Sequence, residues 1–374
     1  MPKRILFLSY LSGLGGGESF LITHLSRLHR EKFEPHVLLA SEGPLLDRLV
    51  RLNVSAEILP FQKNRSIVSA LALICALVRY IIHHQIQLVH INDMEYGKFG
   101  AIAARLCGVP CVWTCHGWWY ASPIREAFYR VMIDRVVSVS SAVHESLTKR
   151  GILPTNKACV IHPGIDLDKF TPSAPDRTIA QQWSLTPGHI IVAIVGRFQP
   201  IKGHEVFLEA ARLVANSLPD VDFLIIGGNV FGVETDAANH ASLVSRVQAD
   251  PMLRQRVHFL PFQSDMSRAF SVVDILVSAS DAETFGMVHV EAMACGKPVV
   301  STDRGGPQDI VNEGITGFLV PPRNPRALAG RITSLCQNPE QRAKMGEAGR
   351  ARTLELFDAN HQSALYQDLY RQLL

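Results

Sequence analysis

Two glutamates, Glu283 and Glu291, stand eight residues apart in a segment that follows the order strand, turn, helix, strand. The apolar run 275–277 predicts a buried strand before them, and Gly296 predicts the end of a helix after them. In a parallel sheet such a turn lies at the carboxyl ends of the strands, where open α/β folds bind ligands. Carboxylates bind hydroxyl groups, and the amides of a helix N-terminus bind anions. The segment therefore predicts a site for a sugar joined to phosphate, as in a nucleotide sugar.

The same segment resembles the signature of the retaining family-4 glycosyltransferases of the two-Rossmann-domain (GT-B) architecture. That signature has two glutamates separated by seven residues, followed by Ala-Met-Ala-x-Gly-x-Pro-Val-Val, and this chain matches it through Val300. The resemblance implies that Glu291 holds the ribose hydroxyls and that Glu283 holds the sugar. It implies further donor contacts from the turn between them, at Phe285, Gly286, Met287 and Val288. An ordinary βαβ unit whose acids only cap a helix is the alternative.

A cationic pair, Arg197 and Lys202, lies on a loop that follows the predicted strand 190–195 and leads into a helix. A planar guanidinium and a mobile ammonium at a strand's carboxyl end form a clamp for a diphosphate. Two solvated surface cations are the alternative. The family has Gly-Arg and Lys-Gly in this clamping role. The resemblance also implies nucleobase contacts by loop residues of the second domain, namely Gly228, Leu260 and Pro261.

A glycine-rich loop from Gly13 to Gly17 follows the first predicted strand and opens the first helix. Glycines let a backbone approach a ligand closely, and the helix N-terminus favours negative charge. A dinucleotide fingerprint counted from Gly13 requires glycine where the chain has Glu18, which argues against an NAD-dependent dehydrogenase. The loop resembles the family's Gly-Gly-x-Glu loop, which implies that Gly15, Gly16 and Gly17 face the donor pyrophosphate. A plain tight turn is the alternative.

His116 ends a predicted strand in the sequence Thr-Cys-His and matches the family's Thr-x-His. The resemblance places this histidine beside the donor sugar, where an imidazole hydrogen-bonds a hydroxyl or moves a proton. The aromatic residues Trp118, Trp119 and Tyr120 follow at once and are predicted to cover the acceptor, with core packing as the alternative. The predicted catalytic residues are His116, Arg197, Lys202 and Glu283.

A metal site is not predicted. Asp220 and Asp222 have the Asp-x-Asp form of metal-dependent glycosyltransferases, but they precede a strand and so lie at the wrong edge of the sheet. Cys111 and Cys115 lack further ligands at metal-binding spacing and are expected to be buried thiols. The seven scattered cysteines indicate a reduced, cytoplasmic setting without disulfides.

The 374 residues, 47% of them apolar, are enough for two domains. Strand and helix patterns alternate twice, which predicts an α/β protein with two doubly wound, Rossmann-like parallel-sheet domains. The predicted domains are residues 1–171 on the acceptor side and 172–355 for the nucleotide sugar. The resemblance implies that they face a cleft and that a C-terminal helix, 356–374, packs back on the first domain. Residues 1–175 hold 19 Lys and Arg against 13 Asp and Glu, whereas the remainder is slightly acidic.

The segment 67–82 is apolar enough to suggest a membrane span, but it is short and contains Arg79. A buried helix before the strand at Leu88 is expected, and a helix at the membrane interface is the alternative. The basic first half permits peripheral contact with the inner face of a membrane. Nucleic acid is not an expected partner.

These features together predict a retaining, metal-independent glycosyltransferase. It would move a sugar from a nucleoside-diphosphate sugar, with a UDP-sugar favoured, to a glycan, a lipid-linked or a small-molecule acceptor. The alternatives are a GT-B epimerase of sugar nucleotides, a phosphorylase, and a non-catalytic protein that binds nucleotide sugars.

Overall fold

The computed structural model describes residues 1–10, 12–13, 15–61, 66–117, 123–149, 153–228 and 234–374. Their contacts divide the chain into two compact units. The first unit contains Met1–Gly164 and Ala359–Leu374, and the second contains Ile165–Asp358. Each unit has its own parallel sheet with helices between successive strands, as the alternating sequence pattern predicted.

The first unit has a seven-stranded sheet in the order β3-β2-β1-β4-β5-β6-β7, with every pairing parallel. The strands are β1 Lys3–Ser9, β2 Phe33–Leu39, β3 Ser55–Ile58, β4 Leu88–Ile91, β5 Cys111–Cys115, β6 Arg135–Ser138 and β7 Ala158–Val160. The helices are α1 Gly16–Ser26, α2 Pro44–Arg51, α3 Ile67–His83, α4 Met94–Leu106, α5 Pro123–Met132, α6 Ser141–Thr148 and, from the chain's end, α15 Ala359–Leu373.

The second unit has a six-stranded parallel sheet in the order β10-β9-β8-β11-β12-β13. The strands are β8 Ile190–Val195, β9 Val221–Ile226, β10 Val257–Leu260, β11 Ile275–Ser278, β12 Val299–Thr302 and β13 Gly317–Val320. The helices are α7 Arg177–Gln182, α8 His204–Ser217, α9 Glu234–Ala249, α10 Met266–Val272, α11 Met287–Ala294, α12 Pro307–Ile310, α13 Pro325–Gln337 and α14 Pro339–Leu356.

The strand orders place a topological switch point in each sheet. In the first, the chain runs outward from β1 to β3 and then returns to pair β4 with β1. In the second, it runs from β8 to β10 and then pairs β11 with β8. Helices on both faces leave a crevice at the carboxyl ends of such strand pairs, and that is where open α/β folds bind ligands. A ligand site is therefore expected at the loops after β1, β4, β8 and β11.

The C-terminal helix α15 belongs to the core of the first unit. The hydroxyl of Tyr370 lies 3.0 Å from His24 Nε2 and 2.5 Å from His90 Nδ1. Thr114 Oγ1 lies 2.8 Å from His90 Nε2 and 3.0 Å from the hydroxyl of Tyr366. All five side chains are buried, so this polar chain fixes α15 on the sheet by hydrogen bonds as well as by apolar packing.

The division between the units differs by a few residues from the predicted boundaries after residues 171 and 355. The amide of Ile165 donates to the carbonyl of Phe357 over 2.9 Å, and Arg350 Nη1 donates to the carbonyl of Phe170 over 2.5 Å. Because residues 165–170 bond to the end of α14, they are part of the second unit.

Helix α3 corrects one expectation of the sequence analysis. Leu73, Leu77 and Ile81 are buried, as a helix packed on the sheet requires, but the opposite face is exposed rather than covered. Within the described residues, no helix is long and apolar enough to cross a membrane.

Asp222 and the two cysteines of β5 have contacts or burial that belong to the fold. Asp222, in β9, bonds His189 Nδ1 over 3.1 Å and accepts from the amide of Thr186, also over 3.1 Å. Its carboxylate is thus used within the fold, and no metal-binding cluster occurs in the part of the chain that the structure describes. Cys111 and Cys115 are buried free thiols, and burial raises the pKa of Cys115 to about 12.

Candidate functional site

Lys202 is positioned by a tight turn at the carboxyl end of β8. A short 3-10 helix, Pro200–Lys202, leads into Gly203, whose φ of +69° is left-handed, and α8 begins at the next residue. A Cβ on Gly203 would lie 2.0 Å from the carbonyl oxygen of Ala279, so only glycine allows α8 to start this close to the end of β11. The turn thereby brings Lys202 beside the loop that follows β11.

Glu283 lies on that loop and is held from both sides. Its amide donates to the carbonyl of Arg304 over 3.3 Å, and its carbonyl accepts from the amide of Gly306 over 2.8 Å. The amide of Asp281 donates to the carbonyl of Ile201 over 2.8 Å. The backbone around Glu283 is therefore fixed both to the loop after β12 and to the 3-10 turn that carries Lys202.

The two side chains form a partly buried ion pair. Lys202 Nζ lies 2.6 Å from Glu283 Oε2, with 24% of the lysine and 16% of the glutamate side chain exposed. The hydroxyl of Ser280 lies 3.5 Å from the same oxygen. Burial acts to raise the pKa of Glu283, but attraction by Lys202 and the hydrogen bond from it hold that pKa below its ordinary value. Glu283 is therefore a carboxylate at neutral pH.

The helix that follows, α11, has a glycine at its N-cap, so the N-cap residue itself offers no side-chain cap. Its N-cap residue is Gly286, with φ of +110°, and a Cβ there would lie 2.4 Å from His289 Nδ1. His289 accepts a hydrogen bond at Nε2 from Ser301 over 2.8 Å and donates from Nδ1 to the carbonyl of Gly286 over 3.1 Å. Burial lowers the pKa of His289 to about 4, so this ring is neutral and fixes the start of α11 to β12.

Glu291 lies one turn further along α11. Burial raises the pKa of its carboxyl to about 7, against the weaker opposing effect of Lys169. Among the described residues, none makes a side-chain hydrogen bond or ion pair with Glu291. The structure therefore does not bring Glu291 into contact with Lys202 or Glu283, and the group titrates near neutral pH.

The remaining donor residues predicted in the second unit lie at or just after the ends of β8, β9 and β10. Arg197 is exposed in the loop after β8, and its side chain has no ion pair with any described residue. Leu260 ends β10, and Pro261 follows it as an exposed residue. A Cβ on Gly228 would lie 2.9 Å from that of Phe262, whose side chain is 60% exposed. Phe262 belongs to the loop after β10, to which the resemblance assigns nucleobase contacts.

In the first unit, three elements converge on His116 at the carboxyl edge of the sheet. His116 follows β5, Gly17 lies in the first turn of α1, and Asn92 follows β4. A Cβ on Gly17 would lie 3.4 Å from the His116 ring, so the glycine allows the helix to pass close to the imidazole. The side-chain nitrogen of Asn92 donates to the carbonyl of Gly17 over 3.2 Å. These contacts bring together two residues that the sequence had singled out and one that it had not.

Asn92 also determines which ring nitrogen of His116 carries the proton. Because its side-chain nitrogen donates to Gly17, its Oδ1 is the acceptor that faces His116 Nε2, 3.1 Å away. The proton of a neutral imidazole is therefore held on Nε2, and Nδ1 is the acceptor. Burial lowers the pKa of His116 to about 4, so the ring is neutral at physiological pH. No sequence motif identified Asn92, since its importance depends on β4 lying next to β5.

The predicted glycine loop is only partly available to a ligand. The amide of Gly15 donates to the carboxylate of Glu18 over 2.9 Å, which is the glutamate half of a capping box at the start of α1. Gly16 is exposed, and Gly17 lies against His116. The predicted acceptor residues Trp118, Trp119 and Tyr120 lie outside the described residues.

Comparison with known proteins identifies the family. The model for glycosyltransferase family 4 matches residues 14–169, and the model for glycosyl transferases group 1 matches residues 176–352. The D-inositol 3-phosphate glycosyltransferase of Mycobacterium sp. strain KMS is 34% identical over 251 residues, which are 62% of this chain and 55% of that protein. The matched region thus spans about half the length of that curated relative. The enzyme of the same name from Thermobispora bispora is 27% identical over 304 residues, 77% of this chain and 71% of that protein.

A solved structure extends the match over nearly the entire chain. Anabaena HepE in complex with UDP superimposes with a TM-score of 0.86 at 25% identity, covering 99% of this chain and 100% of that one. The resemblance and the α/β fold predicted from the sequence are confirmed. The chain belongs to the family-4 glycosyltransferases, and its two parallel-sheet units are those of the GT-B architecture.

Proposed function

We propose that this protein transfers a sugar from a nucleoside-diphosphate sugar, with a UDP-sugar favoured, to a glycan, lipid-linked or small-molecule acceptor. The observation that carries the proposal is the Lys202–Glu283 pair at the switch point of the second sheet. An ammonium group and a carboxylate, fixed side by side at a ligand-binding edge, suit a substrate that carries both phosphate and hydroxyl groups. The solved complexes of HepE with UDP and UDP-glucose support uracil as the base.

In this proposal Lys202, with Arg197, stabilises the negative charge that develops on the leaving diphosphate. Positioned charges of this kind are usually the largest single catalytic contribution. Glu283 and backbone amides of the turn from Phe285 to Val288 hold the sugar, and Glu291 holds the ribose. His116 offers Nδ1 as an acceptor to a sugar hydroxyl. Positive side chains supply the charge for which other glycosyltransferases use a metal ion, so the proposed reaction is metal-independent.

Retention of configuration is part of the proposal. Two carboxylates suggest the double displacement of retaining glycosidases. Glu283, however, is paired with Lys202, and Glu291 is assigned to the ribose, so neither is assigned as a nucleophile. A same-face reaction, in which the departing phosphate accepts the acceptor's proton, agrees with this arrangement.

A screen for donor binding by thermal shift tests the proposal directly. The protein is heated with UDP-, GDP- and ADP-sugars, and the unfolding temperature is recorded for each. A ligand at 100 times its dissociation constant adds about 2.7 kcal/mol to the free energy of unfolding. We expect a UDP-sugar to give the largest shift. The absence of a shift with any nucleotide sugar would contradict the proposal.

Product analysis separates the alternatives. Transfer to an acceptor, or slow hydrolysis of the bound donor, is expected of a glycosyltransferase. An epimerase would convert one sugar nucleotide into another, and a phosphorylase would consume inorganic phosphate. A donor-binding protein that shows none of these reactions would be a non-catalytic binder.

Replacing Asn92 with aspartate tests the role of His116. A carboxylate facing Nε2 favours the charged imidazole, so the pKa of His116 should rise from about 4 by about one to two units. Loss of the hydrogen bond to Gly17 should also misplace the ring and reduce kcat by about tenfold with little change in KM. The pKa is measured by NMR of the imidazole nitrogens and is independent of the assay.

The matched control for this change is Asn239→Asp. Asn239 also donates from its side chain to a backbone carbonyl, that of Phe198, over 2.9 Å, but it lies in the second unit. The Asn239→Asp substitution should leave the titration of His116 unchanged. An unaltered His116 titration in the Asn92 variant would show that Asn92 does not position the ring.

A further inference from the structure

Helix α3 presents an apolar face to solvent. The side chains of Ile67, Val68, Leu71 and Ile82 are 81%, 74%, 56% and 65% exposed. Positions 67, 71, 75, 78 and 82 recur with the period of a helix, so these side chains form one continuous stripe. The four aliphatic side chains therefore make a single patch, which we call the α3 face, rather than scattered surface residues.

The opposite side of α3 already supplies what the fold requires. Leu73, Leu77 and Ile81 are buried beneath it, and Tyr80 donates to Glu57 Oε1 over 3.0 Å. A helix that is apolar on every side is normally covered on every side, and a contiguous exposed patch marks an interaction surface. The exposed side chains of the α3 face are therefore not needed to pack this helix on the sheet.

The charges around the α3 face indicate what covers it. Helix α3 itself contains no acidic residue, and its one arginine, Arg79, is exposed. The first unit as a whole has 19 Lys and Arg against 12 Asp and Glu. The surface that fits is both apolar and anionic. We propose that the α3 face docks on a bilayer that contains anionic lipids, with the helix lying in the plane of the interface.

Self-association through this face is disfavoured by the same charge. A two-fold contact between two α3 helices would bring the Arg79 side chains of both copies into one apolar interface. Like charges in such an interface repel and lose hydration. At a bilayer surface the same side chain extends its guanidinium to the lipid phosphates.

Binding to vesicles tests the proposal. The full chain is mixed with vesicles of phosphatidylcholine alone, or with about 30% phosphatidylglycerol, and bound protein is measured by flotation. We expect binding to the anionic vesicles that weakens with salt. Leu71→Asp should weaken it by at least about tenfold. Arg79→Ala should weaken it by about fivefold.

Val50→Asp is the matched control. Val50 is another exposed aliphatic residue of the first unit, 62% exposed on α2, and the substitution changes the charge equally. Because Val50 lies outside the α3 face, the affinity of Val50→Asp for anionic vesicles should stay within about twofold of that of the unaltered chain. Equal losses in the Val50 and Leu71 variants would overturn the assignment to α3. Absence of vesicle binding by the unaltered chain would overturn the bilayer proposal. If the chain instead forms a dimer that Leu71→Asp disrupts, the α3 face binds a second copy of the chain and the bilayer proposal is wrong.

A measurement on the chain without an introduced charge covers the case in which Leu71→Asp fails to fold. Cys75 is an exposed cysteine on the α3 face and accepts a polarity-sensitive fluorophore. On anionic vesicles its emission should shift to the blue and be quenched by brominated lipids, and Cys75→Ala should abolish the signal. Unchanged emission of the Cys75 label would overturn the proposal. These outcomes are independent of the proposed function, because none of them uses a nucleotide sugar.

Discussion

Lys202→Ala is expected to reduce sugar transfer by about 10²–10³-fold, the usual effect of removing one positioned charge donor from a catalytic site. The loss should appear mainly in kcat, since the charge on the leaving diphosphate develops in the transition state. Steady-state kinetics with a donor identified by the thermal-shift screen measure this. Glu283→Ala should reduce transfer by at least about tenfold, because its proposed hydrogen bonds to the sugar strengthen at the transition state.

Lys202→Ala is also expected to lower the stability of the protein. Without Lys202, burial acts on Glu283 with less opposition, and the pKa of that carboxyl should rise. The cost in unfolding free energy should lie between the roughly 1 kcal/mol of an exposed pair and the roughly 3–5 kcal/mol of a fully buried one. Thermal and denaturant unfolding show whether the variant remains folded under the conditions of the assay.

Lys344→Ala is the matched control for Lys202→Ala. Lys344 pairs with Glu340 over 2.7 Å, but both side chains are about three-quarters exposed. Its loss should leave transfer and stability nearly unchanged, as expected of a solvated pair. Full turnover by a folded Lys202→Ala protein would remove Lys202 from the mechanism.

Donor binding is expected to strengthen as the pH rises through the titration of Glu291. Burial raises the pKa of this carboxyl to about 7, so the carboxylate that accepts hydrogen bonds from ribose hydroxyls forms only near neutral pH. If the ionised form is the one that binds, affinity for a UDP-sugar should increase about tenfold from pH 6 to pH 8. Calorimetric titration of the donor at several pH values measures this, and Glu291→Gln should bind weakly and without that pH dependence.

Glu291 should also affect stability, with the opposite sign. Its folded-state pKa of about 7 lies above the ordinary value of 4.5, so between these values the folded protein binds the extra proton. Stability contributed by the protonated form is full below about pH 4.5 and falls, by at most about 3 kcal/mol, as the pH rises through 7. Glu291→Gln should remove this decline, which unfolding curves between pH 5 and pH 8 would detect.

Glu347→Gln provides the control for both effects. Glu347 lies exposed on α14, the helix that packs against α11, and the substitution alters the protein's charge in the same way. It should change neither the pH dependence of binding nor that of stability. A pH-independent affinity in the unaltered protein would contradict the role given to Glu291.

The sequence was informative about this site because its parts are local. A strand, a turn and a helix N-terminus are defined by a few adjacent residues, so Glu283, Glu291 and the intervening amides were identified together. The clamp loop with Arg197 and Lys202 was found in the same way. That Lys202 contacts Glu283 was not predictable, because the two are separated by 81 residues and meet only when β11 pairs with β8.

The amino-acid sequence by itself determined the fold class and the family, since periodicity and motif spacing are short-range properties. Tertiary structure alone decided the rest. It placed Asn92 against His116 because β4 and β5 are neighbours, and it placed Lys202 beside Glu283 because β11 pairs with β8. It also left one face of α3 exposed although the helix is apolar on every side. Burial and hydrogen-bond partners depend on which distant segments become neighbours, and no local pattern specifies that.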